Sequence, residues 1–157
     1  MSSLFNKKTL TLCFEHDDSK LLLGMKKRGF GTGRWNGFGG KLQEGESVED
    51  AAKREFHEET GLMPKNILKK GTLTFIYNND KTIMDVHVFS VLDHVGELQE
   101  TEEMLPKWFS RDEIPFSNMW PDDKYWLHLF LDGKKFEGEF IFSDYDTIIK
   151  HSVREII

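Results

Sequence analysis

Three glutamates stand close together in one short stretch of the chain, where their carboxylates could share a metal ion. Glu55, Glu58 and Glu59 occupy positions i, i+3 and i+4 within EGESVEDAAKREFHEETGL, residues 44–62. Residues at these spacings lie side by side on an α-helix. Carboxylate oxygens are the ligands that a hard cation such as Mg²⁺ prefers. The spacing therefore predicts a helix that holds a divalent cation.

The helix that must position these carboxylates has recognisable ends. Ser47 is a favourable N-cap and Gly61 is well placed to end the helix, which predicts a helix over 48–60. At about 100° per residue, Glu55 and Glu59 fall in the middle of its apolar stripe. Burying bare carboxylates costs free energy unless something pairs with them, which favours a cation in a cleft at the edge of a sheet. The alternative is that the stripe is weak and the glutamates are surface charges.

The composition is that of a soluble globular protein, and it excludes several kinds of partner. The 157 residues are 38% hydrophobic and 31% charged, with a net charge of −6 and no basic run. Such a chain is unsuited to electrostatic binding of a nucleic-acid polymer, and no apolar run is long enough for a membrane helix. We expect one domain over residues 1–157 that acts as a monomer on a small molecule.

The N-terminal segment and the cysteine content bear on the compartment. MSSLFNKKTL has no apolar signal-peptide core, and Cys13 is the single cysteine, so an internal disulfide is excluded. We expect a cytoplasmic protein, with mitochondria and the nucleus as further compartments.

Strands outnumber helices along the chain and alternate with them. The glycine-rich segment 28–46 is expected to be irregular, and NNDK at 78–81 fits the turn of a hairpin. This mixed order favours an α/β or α+β fold, in which a curved mixed β-sheet is sandwiched between two helices. The predicted strands are 7–14, 20–25, 71–77, 84–92, 107–114 and 134–142, and the second predicted helix is 121–133.

The segment that carries the glutamates resembles a known signature. Residues 40–62, GKLQEGESVEDAAKREFHEETGL, resemble the Nudix hydrolase pattern G-x5-E-x7-R-E-U-x-E-E-x-G-U at every fixed position. Phe56 is a loose fit, since the family usually has a branched aliphatic residue there, and this is a change of packing. The resemblance implies the Nudix fold and hydrolysis of a pyrophosphate linkage with Mg²⁺ or Mn²⁺.

The same resemblance implies roles for individual residues. The three glutamates of the predicted helix resemble the metal ligands of the family. Arg54 and Glu46 resemble the pair that braces the loop against the helix, and Gly40 resembles the glycine that lets the backbone approach the phosphates. Glu103, in the acidic segment ETEEML, corresponds to an additional metal ligand. The alternative for that segment is an ordinary solvated loop.

Two tryptophans flank a pair of adjacent acids in NMWPDDKYW, residues 118–126. Trp120, Trp126 and Phe30 could form a slot that stacks a flat base. The alternatives are that these aromatic residues belong to the core, and that Asp122 and Asp123 are charges at a helix N-terminus.

Three segments around the signature resemble the Nudix hydrolases that act on oxidised purine nucleoside triphosphates, namely 21–41, 84–89 and 119–126. By that resemblance Asn36, Asp122 and Asp123 face the edge of the purine, and Trp120 stacks on it. The remaining implied pocket residues are Thr11, Lys26, Phe30, Met84, Trp126 and Phe142.

The adjacent aspartates also predict a particular protonation state. Two carboxyl groups close together in an aromatic slot resist ionising together, so we expect one of them to hold a proton. A pair that shares one proton can present its donor and acceptor in either order. Asp122 and Asp123 would then allow one pocket to recognise two oxidised purines.

The expected function is metal-dependent hydrolysis of oxidised purine nucleoside triphosphates, of the 8-oxo-dGTP and 2-oxo-dATP type. The expected products are the monophosphate and pyrophosphate, and the effect is to sanitise the nucleotide pool. One alternative is a Nudix hydrolase of another nucleoside diphosphate-linked substrate, such as a nucleotide sugar or a dinucleoside polyphosphate. Two further alternatives are a binding module without the chemistry, which the intact glutamates disfavour, and a purely structural domain, which their inward position disfavours.

Overall fold

The computed structural model describes residues 4–157. Residues 1–3, which the single-domain prediction over 1–157 includes, lie outside the described residues. The strands are β1 (Asn6–Glu15), β2 (Lys20–Lys26), β3 (Trp35–Asn36), β4 (Met63–Tyr77), β5 (Thr82–Val95), β6 (Met104–Ser110), β7 (Lys135–Phe142) and β8 (Ile148–Ile156). The helices are α1 (Val48–Thr60), between β3 and β4, and α2 (Asp123–Leu131), between β6 and β7.

The strands form two sheets. The larger is mixed, with the order β1-β5-β4-β7-β8, in which β1 pairs with β5 and β4 with β7 in parallel, while β4–β5 and β7–β8 are antiparallel. The smaller sheet has the order β3-β2-β6 and is antiparallel. Residues 38–41 run beside β1 through two isolated bridges, which places this part of the glycine-rich segment against the edge of the larger sheet.

Two apolar clusters lie on opposite faces of the larger sheet. Side chains alternate along a strand, and Cys13 and Phe14 of β1 accordingly belong to different clusters. Helix α1 contributes Phe56 to the cluster of Cys13, and α2 contributes Trp126 to the cluster of Phe14. Each face of the sheet is thus covered by one helix. The predicted fold class, a mixed curved sheet between two helices, is confirmed.

The structure differs from the predicted elements at the polar ends of the sheet. Strand β8 was not predicted, because IIKHSVREI is an edge strand that is mostly exposed and lacks a clean apolar alternation. Strand β4 begins at Met63, eight positions before the predicted start at 71, since its first half is exposed and carries several lysines. Helix α1 matches the predicted span, with Ser47 accepting a hydrogen bond from Asp50 N–H and Gly61 at φ 78°.

Among residues 4–157, no helix is long and apolar enough to cross a membrane.

Candidate active site

Helix α1 packs one face on the sheet, and two of its three glutamates lie on that side of the helix. Glu55 and Glu59 are half-buried, and Glu58 is exposed. This burial agrees with the predicted inward position of Glu55 and Glu59, which lie between the fully buried Ala51 and Ala52 around the helix. The buried residues of the helix are Ala51, Ala52, Phe56 and Thr60.

Two glycines beside β1 make room for the carboxylates of α1. Gly39 N–H donates a hydrogen bond to Glu59 Oε1 at 2.8 Å, and Thr11 N–H donates to Gly40 O at 2.9 Å. A Cβ at Gly40 would lie 2.7 Å from Glu55 Oε2, which is closer than nonbonded atoms approach. The backbone at Gly39 and Gly40 therefore lies directly against the carboxylates of Glu55 and Glu59.

Replacing these two glycines by alanine is expected to have different consequences. In Gly40→Ala the new Cβ meets only the end of the flexible Glu55 side chain, so we expect the protein to fold while turnover falls by roughly 10- to 100-fold through misplacement of Glu55. In Gly39→Ala the Cβ would lie 1.8 Å from the backbone oxygen of Thr11, so a loss of roughly 1–3 kcal/mol in stability is expected. Urea unfolding and turnover of the same samples check both. Turnover of Gly40→Ala equal to that of the wild type would contradict the placement of Glu55.

Arg54 ties the loop before α1 to the glutamates of the helix. Its Nε and Nη2 donate to the two carboxylate oxygens of Glu46 at 2.7 and 3.0 Å, a bidentate pair. Its Nη1 donates to Glu55 at 2.6 Å and to Glu58 at 3.3 Å, and Nη2 also donates to Lys41 O at 3.2 Å. The hydrogen bond from Arg54 lowers the pKa of Glu46, and the guanidinium pKa is raised mainly by Glu46. Arg54 thus fixes both the loop and the orientation of Glu55.

The chemistry of the α1 glutamates fits a divalent cation. Burial, followed by the nearby charge of Glu55, raises the pKa of Glu59 to about 8. A cation between Glu55 and Glu59 would offset both the burial and the repulsion, and an all-oxygen donor set is the type that Mg²⁺ or Mn²⁺ takes. As placed, Glu55 and Glu58 share the Arg54 guanidinium, and residues 4–157 contain no ready-made group of three acidic, histidine or cysteine side chains around a metal position.

A cavity of about 200 Å³ opens beside Glu59 and Gly40 and extends to the start of α2. Phe75, Tyr77, Val86 and Leu12 supply apolar walls, and Arg34 is the guanidinium in the lining. The cavity therefore joins an apolar, aromatic space to the glutamates in one site. Nine sequence-derived pocket residues line it, namely Thr11, Lys26, Phe30, Asn36, Gly40, Met84, Trp120, Asp122 and Asp123.

Asp122 and Asp123 are buried side by side in this lining. Trp126 Nε1–H donates to Asp122 Oδ2 at 2.8 Å, and Trp120 N–H donates to Asp123 Oδ2 at 3.2 Å. Asp122 stands at the N-cap of α2 but makes no capping hydrogen bond with its side chain, which disfavours a role as a plain helix-end charge.

Burial of the aspartate pair raises the pKa of both carboxyls. Burial raises the pKa of Asp122 to about 6. Burial, followed by the charge of Asp122, raises the pKa of Asp123 well above its ordinary value. Both shifts favour the protonated form of these carboxyls, which is the direction that the predicted shared proton requires.

Seven residues from the sequence-derived set lie outside the cavity lining, namely Glu46, Arg54, Glu55, Glu58, Glu103, Trp126 and Phe142. Trp126 and Phe142 are fully buried, and their role in substrate binding stays a prediction. Trp126 packs in the core against Phe136 and reaches the site only through its hydrogen bond to Asp122, while Phe142 stacks on Tyr77 from behind. Glu103 is exposed and contacts Arg28 at 3.3 Å, and it is not one of the lining residues.

The sequence reasoning missed eleven of the lining residues, and three of these carry the additional aromatic rings and the guanidinium. Phe75 and Tyr77 face the cavity side of β4, and their period-2 alternation in TLTFIY was a usable signal. Arg34 lies in the glycine-rich segment, where a single arginine gives no signal, since its contacts are with residues far along the chain.

Comparison with known proteins places this site in a family. A family model described as the NUDIX domain matches residues 7–130, more than half of the chain. The chain belongs to the Nudix family. The resemblance noted in the signature is thereby confirmed, and Nudix hydrolases are enzymes that depend on a divalent metal ion.

Three similar proteins extend the Nudix match over nearly the whole length. The oxidized purine nucleoside triphosphate hydrolase of Mus musculus is 54% identical over 147 residues, which cover 93% of this chain and 94% of the relative. The protein of the same description in Danio rerio is 47% identical over 153 residues, 98% of each chain. A crystal structure of the MutT protein from Bacillus halodurans superposes with a TM-score of 0.82 at 28% identity, covering 93% of this chain and 97% of that one.

Proposed function

We propose that this Nudix hydrolase converts oxidised purine nucleoside triphosphates, of the 8-oxo-dGTP and 2-oxo-dATP type, to the monophosphate and pyrophosphate, with Mg²⁺ as its cation. The observation that carries the proposal is the buried Asp122–Asp123 pair, which lines the same cavity as Glu59. The names of the Mus musculus and Danio rerio relatives support the same substrate class. Its effect in a cell is to remove damaged precursors from the nucleotide pool.

The aspartate pair suits the edge of an oxidised purine. An ionised carboxylate only accepts hydrogen bonds, whereas a protonated carboxyl also donates one. A guanine edge presents the O6 acceptor beside the N1–H and N2–H donors, and an oxidised adenine presents a different order. With one shared proton, Asp122 and Asp123 match either order, while Asn36 adds an amide that both donates and accepts.

The phosphates belong at the glutamate end of the cavity. Glu55, Glu58 and Glu59 would hold the cation, which supplies neutralisation of phosphate charge and a more acidic bound water. Arg54 orients Glu55 and holds the loop before α1 in place through Glu46. Gly40 has no side chain, which leaves space for the Glu55 carboxylate beside the backbone. In the net reaction, water adds its oxygen to phosphorus, and the P–O bond between the α- and β-phosphates breaks.

A substrate panel tests this proposal against other Nudix activities. We expect kcat/KM for 8-oxo-dGTP and 2-oxo-dATP to exceed that for dGTP, a nucleotide sugar and a dinucleoside polyphosphate, and to vanish when EDTA replaces Mg²⁺. Preference for a sugar diphosphate or a dinucleoside polyphosphate would reject the substrate class. Activity that persists in EDTA would reject the cation.

Trp120 gives a further test, because its ring forms part of the cavity lining. Trp120→Ala should weaken the binding of purine nucleotides by roughly 1–3 kcal/mol through lost stacking, with unchanged affinity for Mg²⁺. Titration calorimetry with the monophosphate product measures this directly. If Trp120 only serves the core, the unfolding temperature falls while the affinity of the folded protein stays constant.

A further inference from the structure

We propose that Arg34 is a positioning residue for base recognition, which holds the Trp120 ring in place by stacking on it while anchored to Asp146. This inference rests on the proposed binding of a purine base in the cavity. Arg34 belongs to the glycine-rich segment after β2, Trp120 precedes α2, and Asp146 lies in the turn between β7 and β8. One side chain thus joins three segments that are far apart along the chain.

The contacts of Arg34 leave little freedom for the guanidinium. Its Cζ lies 4.3 Å from the centroid of the Trp120 ring, and Nη2 makes an ion pair with Asp146. Guanidinium groups stack on indole faces, whereas the lysine ammonium is a point charge without a plane. The turn that carries Arg34 is closed by a hydrogen bond from its own N–H to Gly31 O at 3.2 Å.

The same loop surrounds Trp120 from other directions. The Phe30 and Trp120 ring centroids are 5.1 Å apart, and a Cβ at Gly31 would lie 3.2 Å from Trp120 Cζ2. A flat ring has two faces, and Arg34 lies over one of them. The loop therefore determines how the indole is presented to the cavity.

Arg34 differs from an ordinary surface cation because it is partly buried and because its burial destabilises the folded protein. Its Nη1 is buried without a hydrogen-bond partner among the described residues, and the side chain is 28% exposed. A buried, unpartnered N–H on a charged group is destabilising. Arg34 also lines the cavity that holds Asp122 and Asp123, so its positive charge lies in the same site as the two carboxyls. The buried, unpartnered N–H of Arg34 destabilises the fold, and the guanidinium lies over the ring that is proposed to stack on the base. This combination points to a role of Arg34 in base binding.

Removing the guanidinium should therefore weaken base binding and spare the phosphate chemistry. Arg34→Met keeps the length of the side chain and removes the charge and the plane. We expect KM for 8-oxo-dGTP, and Kd for 8-oxo-dGMP and dGMP, to rise about 10-fold, with kcat within about 2-fold of the wild type. Arg34→Lys keeps the charge alone and should recover less than half of this loss on a logarithmic scale. Asp146→Asn, which removes the anchor, should raise the same constants about 3-fold.

A double-mutant cycle tests whether Arg34 acts through Trp120. In the Trp120→Ala background, Arg34→Met should leave purine affinity unchanged within about 2-fold, because the ring that it positions is gone. Arg154→Met is the matched control, since it removes another arginine ion pair, with Glu137, on a strand that contributes nothing to the cavity lining. The control should keep wild-type KM and kcat.

The outcomes separate this inference from the proposed function. Unchanged purine affinity in Arg34→Met, a loss of unfolding temperature alone, or full additivity with Trp120→Ala would each overturn the role of Arg34. If the wild type binds dGMP as tightly as 8-oxo-dGMP, the proposed preference for oxidised purines is rejected. The role of Arg34 is still tested in that case, because the Kd of Arg34→Met for dGMP can be compared with that of the wild type. If the wild type binds no purine monophosphate, both the proposed function and the role of Arg34 are rejected.

Discussion

Glu59→Gln is expected to lower the turnover of 8-oxo-dGTP by at least about 10²-fold, which is the range for removing a catalytic electrostatic group. Glu59 lies half-buried in the cavity lining beside Glu55, and its raised pKa of about 8 shows how poorly the site tolerates the charge when no cation is bound. Glutamine keeps the shape and an oxygen that can accept from Gly39 N–H. The fold should therefore persist while the binding of the cation weakens.

Glu49→Gln supplies the control for this change. Glu49 lies in the first turn of the same helix and is exposed. The control should retain wild-type turnover and Mg²⁺ dependence, which excludes a general effect of removing negative charge from α1. Near-normal turnover of Glu59→Gln at saturating Mg²⁺ would refute the assignment of Glu59 as a metal ligand.

Asp122→Asn and Asp123→Asn should each change the ratio of 8-oxo-dGTP to 2-oxo-dATP turnover, by roughly 10-fold or more. An amide has a fixed donor and a fixed acceptor, so it ends the exchange of the proton between the two positions. A site that hydrogen-bonds its substrate rejects an analogue with the wrong pattern strongly, because buried polar groups are left unpaired. The two variants should favour different substrates if each aspartate faces a different part of the base edge.

Asp112→Asn is a suitable control for these variants, since Asp112 is an exposed aspartate of the turn after β6. Its substrate ratio should equal that of the wild type. If both pocket variants keep the wild-type ratio, and purine binding by the wild type is flat into alkaline pH, the shared proton is wrong.

The pH dependence of stability gives a second test of the raised pKa of the Asp122–Asp123 pair. The folded pKa of Asp122, about 6, lies above the ordinary value of 3.8, so between these values the folded protein binds more protons than the unfolded chain. The free energy of unfolding should therefore fall as pH rises from about 4 to about 6, by roughly 2–3 kcal/mol from this group. Asp122→Asn should lack this part of the slope. Urea titrations of both proteins over the window measure the difference, and parallel curves would contradict the raised pKa.

Helix α1 shows how much of the site could be predicted. Its span followed from the Ser47 cap and the Gly61 stop, which are local and do not depend on tertiary contacts. The inward position of Glu55 and Glu59 followed from the helical period alone, since both lie between the fully buried Ala51 and Ala52 around the helix. Strand β8 was missed because an exposed edge strand carries no burial pattern to detect.

The residues that line the cavity could be predicted mainly through the resemblance to the Nudix hydrolases of oxidised purine nucleotides. Trp120, Asp122 and Asp123 lie where expected, yet the neighbouring Trp126 points into the core, and nothing in the spacing of NMWPDDKYW separates the two tryptophans. Arg34 could not be found from the sequence, since its role depends on contacts with Trp120 and Asp146 that exist only in the folded chain.

Product analysis of 8-oxo-dGTP hydrolysis tests the central claim most directly. With Mg²⁺ present, the protein should release 8-oxo-dGMP and pyrophosphate in equal amounts, at a kcat/KM at least roughly 10-fold above that for dGTP, a difference within reach of a few hydrogen bonds to the base. Gly40→Ala and Glu59→Gln should give the same products slowly. Release of orthophosphate with the diphosphate, or equal kcat/KM for the oxidised and normal nucleotides, would contradict the account.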